Sequence, residues 1–298
     1  MHHQAYQLNI RSDLALPELA TGPAAGPSDV DISWGSVAPD GLPDGQQLSP
    51  FLWAAPQRLW LHVPQVARFL IEGGSSIRID PAPGADQASL RVFLLGSAFG
   101  ALLIQRGLLV LHGNAVQIGD QCVVCVGPSG AGKSTLAAGF MQRGHAILAD
   151  DVVAVDAQGR ALPGCPRIKL WHDAAYRLDI DTAPLPRVRP ELEKFTLPVQ
   201  PAARSAQPLP VRWIYILDSD NGDQVRVEAL HGVHRFKPLH ENTYRMRYLQ
   251  GMALGAAHLQ LCGRLAARVR LARVTRSRAG FKLDALIAAL QADIAAHP

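Results

Sequence analysis

One glycine-rich segment constrains this chain more than any other. Residues 127–135 read Gly-Pro-Ser-Gly-Ala-Gly-Lys-Ser-Thr, a complete G-x-x-x-x-G-K-[ST] pattern. The apolar run Gln121–Val126 precedes it and the helix-forming run Lys133–Arg143 follows it, which predicts a strand, a loop and a helix in succession. In that context the glycines let consecutive backbone N–H groups turn inward around phosphates at the positive end of a helix dipole. The segment therefore predicts an α/β fold with a nucleoside triphosphate site.

Two side chains of this loop add chemistry to its backbone. Lys133 is suited to neutralise the β- and γ-phosphate oxygens, and the Ser134 hydroxyl is the usual Mg²⁺ ligand of such a loop. The predicted cofactors are therefore ATP and Mg²⁺. The alternative is a glycine-rich turn that matches by chance, but it does not account for a complete pattern with strand and helix on the correct sides. The predicted nucleotide-binding residues are Gly127, Ser129, Gly130, Ala131, Gly132, Lys133, Ser134 and Thr135.

The pair Asp150–Asp151 offers the carboxylates that phosphoryl transfer needs. It follows the short apolar run Ala146–Ala149, whose end is expected to face the phosphate loop. Adjacent residues on extended backbone point to opposite sides, so one carboxylate would serve Mg²⁺ and the other would face the acceptor. A surface turn is the alternative for this pair. Asp218, after the apolar run Val211–Leu217, is a competing metal carboxylate.

His112 lies within the long strand candidate Leu108–Ile118, beside Gly113. A histidine in a strand is by itself more typical of a hydrogen-bonded core residue than of a catalytic one. Its interpretation depends on the motifs that follow it in the chain. Lys133 comes 21 residues after His112, and Asp151 comes 18 residues after Lys133.

In order and spacing, three segments together resemble the catalytic domain of the bacterial HPr serine kinase/phosphorylases: Leu111–Gly113, Gly127–Thr135 and Leu148–Asp151. The resemblance implies a P-loop kinase fold related to phosphoenolpyruvate carboxykinases, with the loop in a mixed sheet. It also implies roles for the residues named above. Asp151 would be the acid/base, and His112 would assist at the transferring phosphate. The catalytic set is then His112, Lys133, Asp150 and Asp151, and the metal set is Ser134, Asp150 and Asp151.

The chain departs from that family in the stretch Pro163–His172, which lacks the glutamate that the kinase/phosphorylases contribute to Mg²⁺. The resemblance therefore implies kinase activity without implying phosphorolysis. Over nearly its whole length the chain is similar to HPr-kinase-like proteins of ribosomal-peptide gene clusters, including lasso-peptide tailoring kinases. Leu16–Leu19, Gly96–Ala101 and Pro163–Trp171 carry this similarity. It implies phosphorylation of a serine at or near the C-terminus of a precursor peptide.

Further cations are candidates for substrate contacts. Arg167 and Lys169 alternate along one face of an extended segment, which suits a clamp on the γ-phosphate or on a peptide carboxylate. Surface charges on an edge strand are the equal alternative. Two arginines, Arg245 and Arg247, open a predicted helix, and the hexameric relatives imply that such arginines reach the site from a neighbouring subunit. A homo-oligomer is part of the same expectation.

Composition narrows the classes of partner. The net charge is only +4, and arginines between 264 and 278 are spaced among apolar residues, so a nucleic-acid groove is not expected. The pair Cys122 and Cys125 lies in an apolar strand pattern, which indicates buried thiols. No signal-peptide pattern opens the chain, and the apolar stretch Val92–Gln105 is too short to span a bilayer. We therefore expect a cytoplasmic protein with no membrane partner.

The element pattern predicts two domains, an α+β domain over 1–106 that recognises substrate and a P-loop catalytic domain over 107–298. An irregular, proline-rich excursion is expected over 182–210. The predicted strands of the first domain are Tyr6–Ile10, Val30–Trp34, Leu59–Val63 and Ser76–Ile79, before a helix over Ser89–Ile104. The second domain is expected to contain a hairpin of Val211–Leu217 with Val225–Leu230, and helices over Glu241–Ala267 and Leu283–Ala296.

The sequence as a whole predicts an Mg²⁺-ATP-dependent serine kinase of the HPr-kinase-like type acting on a peptide or protein. An HPr-directed regulator or a small-molecule kinase on the same fold is the first alternative, since the fold does not choose the acceptor. A nucleotide-sensing module without transfer is the second, and a nucleic-acid ATPase is a distant third.

Overall fold

The computed structural model describes residues 1–23 and 26–298. Its N-terminal part is a nine-stranded sheet in the order β3-β1-β2-β4-β9-β8-β7-β6-β5. Most neighbours are antiparallel, but β2–β4 and β4–β9 are parallel pairs. The strands are β1 His2–Ala5, β2 Leu8–Ser12, β3 Ala20–Thr21, β4 Val30–Trp34, β5 Gln46–Ser49, β6 Leu52–Ala55, β7 Arg58–Val63, β8 Ala67–Glu72 and β9 Ser76–Pro81.

A continuous helical segment follows this sheet. It consists of α1 Gln87–Phe93, one turn of π-helix Leu94–Ala98, and α2 Phe99–Gln105. The Asp86 carboxylate caps its first turn by accepting from the Ser89 N–H. Its 19 residues are long and apolar enough to cross a membrane by length and composition, but most of the segment is buried inside the protein. That burial is typical of a core helix.

The remaining chain is built around a seven-stranded mixed sheet in the order β11-β10-β12-β13-β16-β18-β17. Strand β11 also pairs in parallel with β16, so the strand before the phosphate loop is held on both sides. A separate ribbon of β14 and β15 lies beside this sheet. The strands are β10 Leu109–Ile118, β11 Gln121–Val126, β12 Ile147–Val155, β13 Arg160–Ala161, β14 Arg167–Trp171, β15 Lys194–Pro198, β16 Leu209–Asp220, β17 Arg226–Ala229 and β18 Arg270–Ser277.

Helices cover both faces of the second sheet. Helices α3 and α8 pack on one face with Tyr215 and Leu217, and α7 packs on the other with Ile214 and Leu271. Coverage on both faces explains why β11 is a nearly continuous apolar run. The helices are α3 Lys133–Gln142, α4 His172–Arg177, α5 Phe236–Glu241, α6 Arg247–Gly251, α7 Gly255–Arg268 and α8 Leu283–Ala296.

The largest apolar cluster joins the two halves of the chain. It combines the inner face of the N-terminal sheet and the helical segment 87–105 with Val110, Val152 and Tyr244 from beyond residue 106. The helical segment is therefore buried between the N-terminal sheet and β10, where it reaches the edge of the phosphate-loop region.

The predicted α/β fold is confirmed. The predicted strands Val30–Trp34 and Gln121–Val126 and the predicted helix Leu283–Ala296 have the bounds that the structure shows. The predicted helix Lys133–Arg143 and strand Leu108–Ile118 differ from the structure by one residue each. These elements have strong local patterns, so tertiary contacts did not override them.

Three predicted elements are wrong. Tyr6–Ile10 is not one strand, because Tyr6 and Gln7 have φ of 54° and 61° and form the turn between β1 and β2. The predicted hairpin of β16 with β17 does not form, because β18 lies between them and pairs with both. The predicted long helix over Glu241–Ala267 is interrupted by left-handed residues at Arg245 and Ala253.

Candidate active site

The phosphate loop connects the end of β11 to the start of α3. Gly127 has φ of 146°, and a Cβ there would lie 2.6 Å from the Leu217 carbonyl oxygen, so a side chain would force the loop away from β16. Gly132, with φ of 94°, precedes α3 and leaves its first turn without a side-chain cap. The N–H groups of that turn therefore remain available to an anion at the helix N-terminus.

Lys133 is buried beneath this loop. Its Nζ donates to the carbonyl oxygens of Gly127 and Pro128, at 2.8 and 3.0 Å. Burial lowers the pKa of Lys133, and the negative charges of Asp150 and Asp151 partly oppose that shift. The ammonium group is thus held at the loop by weak acceptors that phosphate oxygens could replace.

Asp150 and Ser134 form an oxygen-rich pair. The Ser134 Oγ donates toward both carboxylate oxygens of Asp150, at 2.9 and 3.1 Å, and the Lys169 backbone N–H donates to the same carboxylate at 3.0 Å. Burial raises the pKa of Asp150, while these hydrogen bonds oppose the shift. A buried carboxylate of this kind is stabilised by a cation.

These oxygens fit Mg²⁺. Within residues 1–23 and 26–298, no group of three or more His, Cys, Asp or Glu side chains is arranged to hold a metal alone. Mg²⁺ does not require such a cage, since it is usually held by one or two carboxylates together with water and substrate phosphates. The Ser134 hydroxyl and the Asp150 carboxylate, next to the phosphate loop, match that donor set.

Asp151 faces a different set of partners. Its carboxylate accepts from Lys169 Nζ at 2.7 Å and lies 3.3 Å from His112 Nδ1. Burial favours the neutral acid, but the charges and hydrogen bonds of Lys169 and His112 outweigh it and hold the pKa of Asp151 well below its usual range. This carboxylate is ionised at neutral pH and can accept a proton.

The backbone of this aspartate pair corrects one expectation. Asp151 is not extended, because its φ is 76°, in a left-handed region that L-residues rarely occupy. The left-handed backbone of Asp151 within β12, rather than regular strand alternation, therefore separates the two carboxylates. A backbone outlier at such a position is typical of functional sites.

Three adjoining cavities surround the loop. The central cavity, about 220 Å³, is lined by Lys133, Ser134, Asp150, Asp151 and Lys194, among others. The Tyr244 cavity, about 460 Å³, shares His112, Ser129, Asp151 and Lys169 with it. The Arg276 cavity, about 220 Å³, shares Gly130, Gly132, Thr135 and Asp173 with the central cavity instead. The phosphate loop and the central cavity therefore lie between the Tyr244 cavity and the Arg276 cavity.

The structure brings most of the expected side chains together and leaves two elsewhere. Arg167 is buried and lies 3.7 Å from Glu18 of the N-terminal part, outside all three cavities, so it does not form a clamp with Lys169. Asp218 is exposed and lies 3.4 Å from Arg273, also outside the cavities. The expected site residues that line the central cavity are His112, Ser129, Gly130, Gly132, Lys133, Ser134, Thr135, Asp150, Asp151 and Lys169.

Sequence reasoning missed several residues of the site. Lys194 belongs to β15, a strand inside the segment 182–210 that was predicted to be irregular. It lines the central cavity, and burial lowers its pKa. Lysine is rare in this chain, with five in all, and that rarity was a usable signal for Lys194. Arg276 lies 3.4 Å from the Ala131 carbonyl oxygen, and no sequence pattern placed it there. Arg245 lines the Tyr244 cavity of its own chain.

The centre of this site is similar to a known protein family. Residues 107–173, which hold His112, the phosphate loop, the aspartate pair and Lys169, match the family model of the HPr Serine kinase C-terminal domain. This segment is related to HPr serine kinases.

Curated relatives match the same region. The chain is 39% identical over 51 residues to an HPr kinase/phosphorylase of Chlorobium phaeovibrioides and 41% identical over 51 residues to that of Chlorobium limicola. These matches cover 17% of this chain, and 15% and 16% of the two relatives. The chain therefore aligns with about a sixth of the length of these relatives.

Among solved structures, the chain is similar to the Hpr(Ser) kinase/phosphatase from Coxiella burnetii. The TM-score is 0.27 at 14% identity, over 63% of this chain and 90% of that one. The relationship therefore rests on the 107–173 segment.

Proposed function

We propose that this protein is an Mg²⁺-ATP-dependent kinase that transfers a phosphoryl group to the serine hydroxyl of a peptide or protein. The observation that carries the proposal is the position of Asp151. Its ionised carboxylate lines both the central cavity, where the phosphate loop lies, and the Tyr244 cavity beside it. A base in that position lies between a phosphoryl donor bound in the central cavity and a hydroxyl acceptor bound in the Tyr244 cavity.

The residues have distinct roles in this proposal. Asp151 accepts the proton of the attacking hydroxyl, and Lys169 and His112 hold its carboxylate in place. Lys133 and the loop N–H groups stabilise the charge that develops on the transferring group. Mg²⁺, held by Ser134 and Asp150, would supply further neutralisation of the phosphate oxygens when bound.

The arrangement of the cavities also supports one orientation of the bound nucleotide. Thr135 and the loop glycines connect the central cavity to the Arg276 cavity, on the side away from His112. In that cavity the Arg177 guanidinium lies 5.4 Å from the Phe281 ring centroid, and Arg276 and Arg278 add positive charge. We assign the nucleoside to this side and the acceptor to the Tyr244 cavity.

The finer identity of the acceptor rests on resemblance. The similarity to tailoring kinases of ribosomal-peptide clusters supports a serine at or near the C-terminus of a lasso-peptide precursor. An HPr-type protein is the competing acceptor, because the related segment 107–173 is that of HPr serine kinases. A cytoplasmic homo-oligomer, with residues 1–106 recognising substrate, completes the proposal.

Intact-mass analysis tests this proposal. The protein is incubated with ATP, Mg²⁺ and either a serine-ended precursor peptide or HPr protein, and the Lys133→Ala variant is the control. The proposal predicts a mass gain in units of phosphate on one of these acceptors, abolished in the variant. Mass gain on neither acceptor, while ATP is still bound, would contradict it and favour a sensor or a metabolite kinase.

A further inference from the structure

The charged side chains around the Tyr244 cavity are not all paired with one another. Besides Asp151, the acidic and basic side chains that line it are His112, Lys169, Glu241 and Arg245. Lys169 and His112 are both directed at the Asp151 carboxylate. The exposed Glu241 lies 3.6 Å from Lys237, on its own helix.

Arg245 has no acidic partner. Among residues 1–23 and 26–298, the structure has no ion pair to its guanidinium, which instead donates to the Ser97 Oγ at 3.1 Å. The same guanidinium lies 5.8 Å from the Tyr244 ring centroid. A single neutral acceptor leaves most of its five N–H donors for a ligand.

The backbone on both sides of this contact is unusual. Arg245 has φ of 51°, so it shares the left-handed conformation with Asp151, and both residues line the same cavity. Ser97 lies on the single π-helical turn Leu94–Ala98, and such turns are frequent at functional sites. Three local departures from regular structure thus converge on one cavity wall.

A tight contact fixes this arrangement. A Cβ on Gly100 would lie 2.6 Å from the Tyr244 ring, so only glycine lets Tyr244 pack so closely on the helical segment. Tyr244 in turn carries Arg245 next to Ser97. The N-terminal part of the chain therefore holds the arginine in position.

We propose that the acceptor carries an anionic group, a carboxylate close to its hydroxyl, and that Arg245, supported by Ser97, binds this carboxylate in the Tyr244 cavity. This inference rests on the proposed function. The planar fork of an arginine suits bidentate recognition of a carboxylate. A cavity of about 460 Å³ has the size of a small-ligand site and admits a short peptide segment rather than a folded domain.

Affinity selection of peptide pools tests the inference. Wild-type protein, loaded with Mg²⁺ and a non-hydrolysable ATP analogue, is offered three pools of short peptides that share randomised uncharged neighbours. In the first pool an aspartate adjoins the serine, in the second the serine ends the chain as a free carboxylate, and in the third both groups are replaced by amides. Retained peptides are identified by mass spectrometry.

The expected result is that at least one carboxylate pool is retained about ten- to a hundredfold more than the amide pool. Arg245→Gln should remove this preference. The exposed Arg264→Gln, on α7 and outside the Tyr244 cavity, is the control and should keep it. Equal retention of all pools, retention of none, or a preference that survives Arg245→Gln would overturn the inference.

A parallel incubation with ATP separates the two proposals. Carboxylate-dependent retention without phosphate transfer would contradict the proposed function and leave the binding inference standing. Phosphate transfer to carboxylate and amide peptides at equal rates would contradict the binding inference and leave the proposed function standing. Binding of the ATP analogue to each variant shows that its site is folded.

Discussion

At the scale of single residues, two adjacent aspartates differ because their surroundings differ. Burial raises the pKa of Asp150, whereas Lys169 and His112 hold the pKa of Asp151 well below its usual range. Neighbouring carboxylates whose pKa values are pushed apart are typical of sites that divide roles between them. In the proposed function this division corresponds to a metal ligand and a proton acceptor.

The Lys169→Met variant tests the cause of this difference. Without the ammonium group, burial of Asp151 is less opposed, so its pKa should rise and its ionised fraction should fall as pH decreases. We expect transfer activity at pH 6, relative to pH 8, to decrease more in this variant than in wild type. A pH profile of kcat measures it, with Lys237→Met at an exposed position as the control. Parallel profiles for Lys169→Met and wild type would contradict the assignment.

At the scale of elements, the helical segment 87–105 is matched to Tyr244 by its glycines. A Cβ on Gly100 would meet the Tyr244 ring at 2.6 Å, whereas a Cβ on Gly96 would meet only the Tyr244 hydroxyl at 3.4 Å. The two positions are four residues apart on one helical segment, so they form a matched pair. Alanine substitution at the two positions therefore separates the effect of close packing on stability from the effect of helix propensity.

Alanine at these two positions should therefore have different effects on stability. Gly100→Ala must displace a buried ring, and we expect it to destabilise the protein by about 1 to 3 kcal/mol. Gly96→Ala makes an ordinary contact and gains helix propensity, so its effect should lie within about 1 kcal/mol of zero or be stabilising. Urea unfolding measures both. Equal losses in the two variants would show that Tyr244 does not limit the packing.

Helix α7 carries a buried histidine that links the fold to pH. His258 Nε2 lies 2.9 Å from Thr243 Oγ1, and burial together with the charge of His240 lowers the pKa of His258 to about 4. The unfolded chain binds this proton near pH 6.5, so the stability contribution is complete above that pH. It is lost as pH falls from about 6.5 to about 4.

The pH dependence of unfolding should show this loss. From pH 7.5 to pH 5, the neutral His258 should account for about 2 kcal/mol of the decrease in unfolding free energy. His258→Gln should reduce the decrease by that amount, although it lowers stability at pH 7.5. Urea unfolding at both pH values measures it, with the exposed His234→Gln as the control. An unchanged pH dependence in His258→Gln would disprove the account.

At the scale of the whole molecule, the two predicted domains share one core. Val110, Val152 and Tyr244 pack in the same cluster as the N-terminal sheet and the helical segment 87–105. Helix α6 also packs on this sheet, where a Cβ on Gly251 would lie 2.4 Å from the Ala54 side chain. We therefore expect the two parts of the chain, divided near residue 106, to fold together rather than independently.

Removal of residues 1–106 tests this interdependence. The fragment 107–298 would expose the apolar side chains that pack against the N-terminal part, so we expect it to lack a cooperative unfolding transition and to bind Mg²⁺-ATP weakly. Urea unfolding and nucleotide titration of the fragment measure this. Cooperative unfolding with full nucleotide affinity would contradict a shared core.

Predictions from the sequence were correct for local features and wrong where segments distant in the chain contact one another. The phosphate loop with its strand and helix was predictable, because pattern and glycine positions lie within 25 residues. The hairpin of β16 and β17 was wrong, because β18 inserts between them from about 40 residues further along the chain. Arg167 shares a strand face with Lys169, but the distant Glu18 binds it. No local sequence pattern predicts the long-range contacts that Glu18, Ser97 and Arg276 make in the structure.

The most direct test of the central claim is phosphoryl transfer by the Asp151→Asn variant. Wild type and variant are compared for transfer from γ-labelled ATP to the best serine peptide, and for affinity toward Mg²⁺-ATP. If Asp151 accepts the hydroxyl proton, the variant should bind Mg²⁺-ATP and lose transfer by about a hundredfold or more. A variant that keeps wild-type turnover would contradict the assignment of the base and, with it, this account of the site.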